Sequence, residues 1–189
     1  MKAGHRPRPM PPSQTQRMHI RRPPISDRRI RFALVGCGRI AQNHFEAIRQ
    51  HAVQAELVAV CDNDPAVLRD AVGKTQALGF ASLSELLAGS KPDCVVLSTP
   101  SGLHPQQAIE VAAAGADVMT EKPMATRWSD GLAMVRACDE AGVRLFVVKQ
   151  NRRNRTLQLL KQAIGLGRFG RIYMVSVNVF WSRPQAYYD

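Results

Sequence analysis

A chain of 189 residues, 45% of them hydrophobic, holds enough apolar material for one well-packed domain or for one domain and part of another. The formal charge of +11 invites a nucleic-acid reading, yet nine Lys or Arg against one acid fall within residues 1 to 31. Eight of the eleven charges therefore sit in that segment, the rest of the chain is close to neutral, and no nucleic-acid partner is expected for the folded part.

Residues 1 to 30 also carry six of the twelve prolines and almost no large apolar side chains, so they are expected to form a disordered basic tail. They lack the apolar stretch of a secretory signal, and no apolar run anywhere reaches the 18 residues of a membrane helix. No membrane partner is expected. Cys37, Cys61, Cys94 and Cys138 are far apart with no C-x-x-C pair, which fits reduced thiols in a cytoplasmic protein and no metal site.

From Arg31 short apolar runs alternate with helical patterns. Arg31 to Val35 reads as a buried strand, followed by a helix with Ile40, His44, Ala47 and Ile48 on one face. Glu56 to Cys61 is a second strand, and Pro65 opens a helix ending near Gly73. A short strand near Gly79 and Phe80, a helix from Ser84 to Ala88 and a strand from Asp93 to Ser98 come next. Helix Pro105 to Ala114, strand Asp117 to Thr120, helix Trp128 to Ala141 and strand Val143 to Val148 complete the series. The strands are continuous apolar runs, so both faces of their sheet must be covered. The fold class is α/β, a doubly wound parallel sheet of the Rossmann type over residues 31 to 150. Beyond it, Thr156 to Ile164 reads as a helix, and Ile172 to Trp181 as a long strand with Tyr173, Val175, Val177, Val179 and Trp181 on one apolar face. That alternation predicts the start of an α+β antiparallel-sheet domain over 151 to 189, incomplete within this chain.

The motifs sit where this fold would use them. Gly36-x-Gly38-x-x-Ala41, with Arg39 and Ile40 between, joins the first strand to the first helix. The first Gly permits the turn, the second lets the backbone approach a pyrophosphate, and the small third residue lets helix and strand pack closely. Asp62 ends the second strand, where a carboxylate accepts hydrogen bonds from the adenosine ribose and repels the extra phosphate of NADP. The expected cofactor is NAD. Ser98, Thr99, Pro100 and His104 follow the fourth strand, and Glu121-Lys122-Pro123 follows the fifth. A lysine there, expected to be partly buried, reaches toward the nicotinamide and can bond a substrate hydroxyl.

A glycine fingerprint, then T-P-S-G-L-H, then E-K-P at this spacing resembles the Gfo/Idh/MocA oxidoreductases. The resemblance implies a Rossmann domain followed by an open antiparallel sheet domain, with Lys122 as the active-site lysine and a cis Lys122–Pro123 bond. It also implies nicotinamide-ribose contacts from Thr99, Pro100, His104 and Glu121, and cofactor contacts from Ser98 and Gln150. The later segments Val148-Lys-Gln-Asn-Arg152, Gly167 to Ile172 and Val177 to Trp181, with Arg183-Pro-Gln, are similar to one subgroup, the UDP-N-acetylglucosaminuronate dehydrogenases. These oxidise the carbon-3 hydroxyl in the biosynthesis of bacterial surface polysaccharides. Substrate contacts are then expected from Lys122, Asn151, Arg152 and Arg183, and the cations Lys149, Arg152, Arg153 and Arg183 suit a carboxylate and a diphosphate. The subgroup's second catalytic group, a His, is expected beyond Asp189, and a homo-oligomer is expected through the C-terminal sheet.

The function expected is NAD-dependent oxidation of a sugar-ring hydroxyl on a UDP-linked N-acetyl uronic acid. The alternatives are a non-catalytic NAD-binding fragment or sensor, and a dehydrogenase of the same family acting on another sugar or polyol.

Overall fold

The computed structural model describes residues 23 to 185. The expected disorder of the basic tail lies, for residues 1 to 22, outside the described residues. The chain divides into a unit ending at Val148 and a second beginning at Lys149.

The first unit runs β1 (Ile30–Val35), α1 (Ala41–Gln50), β2 (Ala55–Cys61), α2 (Pro65–Thr75), β3 (Leu78–Phe80) and α3 (Leu83–Ser90). It continues with β4 (Cys94–Leu97), α4 (His104–Ala113), β5 (Asp117–Thr120), α5 (Trp128–Glu140) and β6 (Leu145–Val147). All six strands are parallel, in the order β3-β2-β1-β4-β5-β6. The order reverses between β1 and β4, which opens a crevice at the carboxyl ends of those strands.

Alternation along the strands produces two cores. Ala33, Val35, Val95, Leu97 and Val118 point to one face and pack with Leu86 of α3, Val111 of α4 and Met134 of α5. Leu34, Val60 and Val96 point to the other, against Ala41 of α1 and Ala71 of α2. Central β4 is buried at all four positions, and each such side chain contributes about 1.5–3 kcal/mol over exposure. This double burial is why the strands read as unbroken apolar runs.

Polar residues set the ends of several elements. The Asp64 carboxylate accepts the Ala66 and Val67 N–H groups at the start of α2, where Pro65 loses no needed donor. Ser82 caps α3 by accepting the Glu85 N–H at 3.3 Å. Before β1, Arg28 grips Asp93 with two hydrogen bonds of 2.6 and 2.9 Å, and the same carboxylate accepts the Arg31 N–H at 2.8 Å. Ordered contacts thus begin at Arg28, inside the segment expected to be tail, and β1 starts one residue before Arg31.

The inward face of α1 also differs from expectation. Ala41 is buried, Phe45 packs on the core, and His44 and Ile48 are half-buried, whereas Ile40 and Ala47 are exposed. The apolar stripe is Ala41, His44, Phe45 and Ile48, the i, i+3, i+4, i+7 set, because the helix begins after Ile40.

In the second unit a 3₁₀ turn (Gln150–Arg153) leads into α6 (Arg155–Gly165), capped by Asn154, whose side chain accepts the Thr156 N–H at 3.0 Å. The strand expected from Ile172 to Trp181 is not formed. A strand needs a neighbour for its backbone N–H and C=O groups, and no described segment forms a ladder with this one. Its predicted apolar face is open: Tyr173, Val175, Val177, Val179 and Trp181 are 62–91% exposed.

Candidate active site

The turn after β1 is fixed by close packing on the loop after β4. Gly36 has φ +88°, and a Cβ there would stand 2.8 Å from the Thr99 nitrogen and 2.9 Å from the Ser98 carbonyl carbon. Any side chain would have to displace backbone. At Gly38 the position a Cβ would take has no atom within 4 Å, so this glycine faces open space. The following helix has no side-chain cap, with Ile40 at the N-cap position. The Ala41 N–H donates to the Gly38 carbonyl and the Asn43 N–H to the Ile40 carbonyl, both at 3.1 Å, so what the helix offers an anion is the positive end of its dipole.

Asp62, at the end of β2, has a double role. Its Oδ2 accepts the Cys37 N–H at 2.8 Å and its Oδ1 the Asp64 N–H at 2.9 Å, so the carboxylate knits the glycine loop to the β2 turn. A carboxylate has about four acceptor positions, which leaves room for ribose hydroxyls as well. Cys37, between the two glycines, is buried; desolvation first and the Asp62 charge second push its thiol up to about 12. It fills space beneath the loop and is not a nucleophile.

Gly36, Gly38, Asp62, Ser98, Thr99 and Pro100 line one cleft of about 470 Å³, joined by Asn63, Ser82 and Gln107. Six of the expected cofactor residues are therefore brought together. The Ser98 hydroxyl is buried there without a hydrogen-bond partner among the described residues. A stranded hydroxyl costs about 1–3 kcal/mol, so it marks a place for a ligand atom or water. Thr99 is held by its hydroxyl donating to Gln107 Oε1 at 2.5 Å. Gln107 was not expected in the site; its signal was its place in the first turn of the helix opened by His104.

His104 is 1% exposed. Its Nε2 lies 2.8 Å from the Thr99 carbonyl oxygen and its Nδ1 3.1 Å from that of Pro123. Both ring nitrogens face these backbone carbonyls, and the expected cofactor contact of His104 is not among its neighbours. A ring N–H donates to one of the two carbonyls, between the loop after β4 and the loop after β5. Lys122–Pro123 is cis. Lys122 is exposed and not partly buried, because it follows the point where the chain leaves the sheet. The Glu121 carboxylate accepts the Lys122 N–H at 3.2 Å and meets His44 Nε2 at 3.1 Å, a contact from α1 that the sequence reading missed.

Arg39 and Ile40 are exposed beside Gly38. Gln150, Asn151, Arg152 and Arg183 belong to the second unit, where all four are exposed and the Arg183 guanidinium stacks 4.8 Å over the Trp181 ring. Among the described residues no group of three or more His, Cys, Asp or Glu could hold a metal, and no helix is long and apolar enough to cross a membrane.

Residues 30–149 match the Gfo/Idh/MocA oxidoreductase family with its NAD-binding Rossmann fold. The chain is 35% identical to a D-apiose dehydrogenase of Paraburkholderia graminis, over 82% of this chain and 40% of that protein. It is 29% identical to an inositol 2-dehydrogenase of Rhizobium meliloti, over 79% of this chain and 44% of that one. Among solved structures, the WlbA dehydrogenase of Chromobacterium violaceum in complex with NADH and UDP-GlcNAcA has 67% identity and TM-score 0.86, over 89% of this chain and 49% of that one. The Bordetella pertussis WlbA dehydrogenase, with the same two ligands, has 68% identity and TM-score 0.85, over 87% and 48%. The chain thus spans about half the length, or less, of these relatives. The glycine loop, the acid ending β2, the Glu-Lys-Pro turn and these similarities agree: the chain belongs to the Gfo/Idh/MocA oxidoreductase family, through its NAD-binding Rossmann fold.

Proposed function

We propose that this chain is the cofactor-binding part of an NAD-dependent dehydrogenase that oxidises a ring hydroxyl of a UDP-linked N-acetyl uronic acid, at carbon 3. The observation that carries the cofactor reading is the cleft over β1 and β4, with open space at Gly38, an uncapped α1 and a stranded Ser98 hydroxyl. The glycine loop and the positive end of α1 would face the pyrophosphate, and Asp62 would take the adenosine ribose. Ser98, Thr99 and Pro100 would line the path to the nicotinamide half, with Glu121 at its far end. When bound, NAD supplies the hydride acceptor.

Lys122 would hold the reacting hydroxyl from the end of β5 and ease loss of its proton as the carbonyl forms. The exposed cations Arg152 and Arg183, with Asn151, would take the carboxylate and diphosphate of the substrate. The 67–68% identity to dehydrogenases solved with UDP-GlcNAcA supports the substrate class. The D-apiose and inositol dehydrogenases among the relatives support a second reading, oxidation of another sugar or polyol. We read the protein as cytoplasmic and homo-oligomeric through its second unit, with neither nucleic acid nor membrane as partner.

Calorimetric titration with NAD, then with UDP-N-acetylglucosaminuronate on the NAD-loaded chain, tests the reading. Both should bind. No heat with NAD would overturn it, and NAD-dependent binding of inositol or apiose in place of the UDP sugar would move the substrate to the second class.

A further inference from the structure

We propose that His44 is a positioning residue for the nicotinamide half of the cofactor site, holding Glu121 and through it the Lys122 turn. The proposal rests on the reading of the cleft as an NAD site. His44 lies one turn into α1, the helix whose N-terminus follows the glycine loop. Its Nε2 reaches Glu121 Oε1 at 3.1 Å, with side chains only 14% and 12% exposed. The other oxygen, Oε2, accepts the Lys122 N–H at 3.2 Å, and the Glu121 N–H is fixed to the Leu97 carbonyl oxygen at 3.0 Å.

One carboxylate is therefore pulled from two sides. From α1 comes a donor tied to the phosphate loop; from the residue after it comes the backbone that carries the Lys122 side chain. Strand β4 lies between β1, which leads into α1, and β5, which leads into Glu121, so the contact spans the switch point of the sheet. A largely buried carboxylate without its donor would turn toward water, and the Glu-Lys-Pro turn would lose its fixed orientation. Because Asp62 and the α1 N-terminus serve the adenosine and pyrophosphate, this pair bears on the remaining, nicotinamide end.

That location gives a test a general loss of stability cannot imitate. NAD and ADP share the adenosine and the diphosphate, ADP lacking the nicotinamide ribose and ring, and both can be titrated into the 189-residue chain. His44→Ala should weaken NAD by about tenfold, the scale of a lost hydrogen bond to a charged group, and ADP by less than about twofold. His44→Gln keeps a donor of similar reach and should restore most of the NAD affinity. Adding Glu121→Gln to His44→Ala should cost little more than His44→Ala alone. Equal weakening of NAD and ADP, no weakening of either, or no rescue by Gln would overturn the proposal while leaving the cofactor reading intact. If the unaltered chain bound neither ligand, the cofactor reading would fail and this proposal with it. Should His44→Ala not fold, His44→Asn, whose shorter amide does not reach Glu121, takes its place: selective loss of NAD against ADP supports the pair, and equal loss refutes it.

Discussion

Gly36 and Gly38 belong to one motif, and their surroundings predict opposite consequences for the same substitution. Gly36→Ala places a Cβ 2.8 Å from the Thr99 nitrogen at a residue with φ +88°. An L side chain in the left-handed region costs about 1–2 kcal/mol, and forcing backbone apart in a packed region typically another 1–3 kcal/mol. The loss should be about 2–5 kcal/mol, a large part of the 5–15 kcal/mol that holds a domain folded. Gly38→Ala meets nothing within 4 Å and needs no left-handed backbone, so stability should change by less than about 1 kcal/mol, in either direction. Its methyl group instead enters the space a pyrophosphate would use. NAD affinity should fall by at least about tenfold, or 1.4 kcal/mol. Urea denaturation of the two variants, with NAD titration of Gly38→Ala, separates these effects. If Gly38→Ala bound NAD as well as the unaltered chain, or unfolded as readily as Gly36→Ala, the division of labour between the glycines would be wrong.

Other outcomes follow from the same geometry. NAD should bind about tenfold or more tightly than NADP, and Asp62→Ala should narrow that gap while also loosening the glycine loop through the lost Cys37 N–H contact; equal affinities for the two cofactors would remove Asp62 from the ribose site. The Asp93 carboxyl is held below its ordinary value of 3.8, mainly by its hydrogen bonds from Arg28. A depressed carboxylate stabilises the fold above the unfolded value and loses that contribution as pH falls through the lower folded one. Acid unfolding of Asp93→Asn should therefore be less steep below about pH 4 than that of the parent, and identical acid profiles would refute the assignment. Burial pushes the Cys37 and Cys94 thiols to about 12 and those of Cys61 and Cys138 to about 11. Alkylation at mildly alkaline pH should be slow in the folded chain and fast in denaturant, and rapid reaction of any of the four when folded would contradict the burial shown.

The parallel sheet was legible because its cause is local. Strands covered on both faces have to be apolar at every position, and β4, read as Asp93 to Ser98, is buried throughout Cys94–Leu97. The glycine loop and Asp62 were legible because their chemistry is confined to a strand end. What escaped depends on distant residues. His44 meets Glu121 from 77 positions away, and His104 is spent on carbonyls of Thr99 and Pro123, which no periodicity reveals. Ile172 to Trp181 failed for another reason. Alternation tells which side of a strand would be buried, but the strand itself exists only with a neighbour to bond. The α1 stripe was misplaced by one residue at Ile40 because the fingerprint obscures where the turn ends and the helix begins.

The sheet ends at each side in a strand of only three residues, Leu78–Phe80 and Leu145–Val147. Three residues offer too few open N–H and C=O groups to recruit a foreign strand, so both borders are poor templates for sticking. Ile172 to Trp181 is the reverse: ten residues rich in Val and aromatics, uncharged and without proline. Self-association is then expected to start at this ribbon and not at the nucleotide fold. A lysine placed at Val175 or Val177 should lower light scattering at a given protein concentration, and the same change at Phe146 should not.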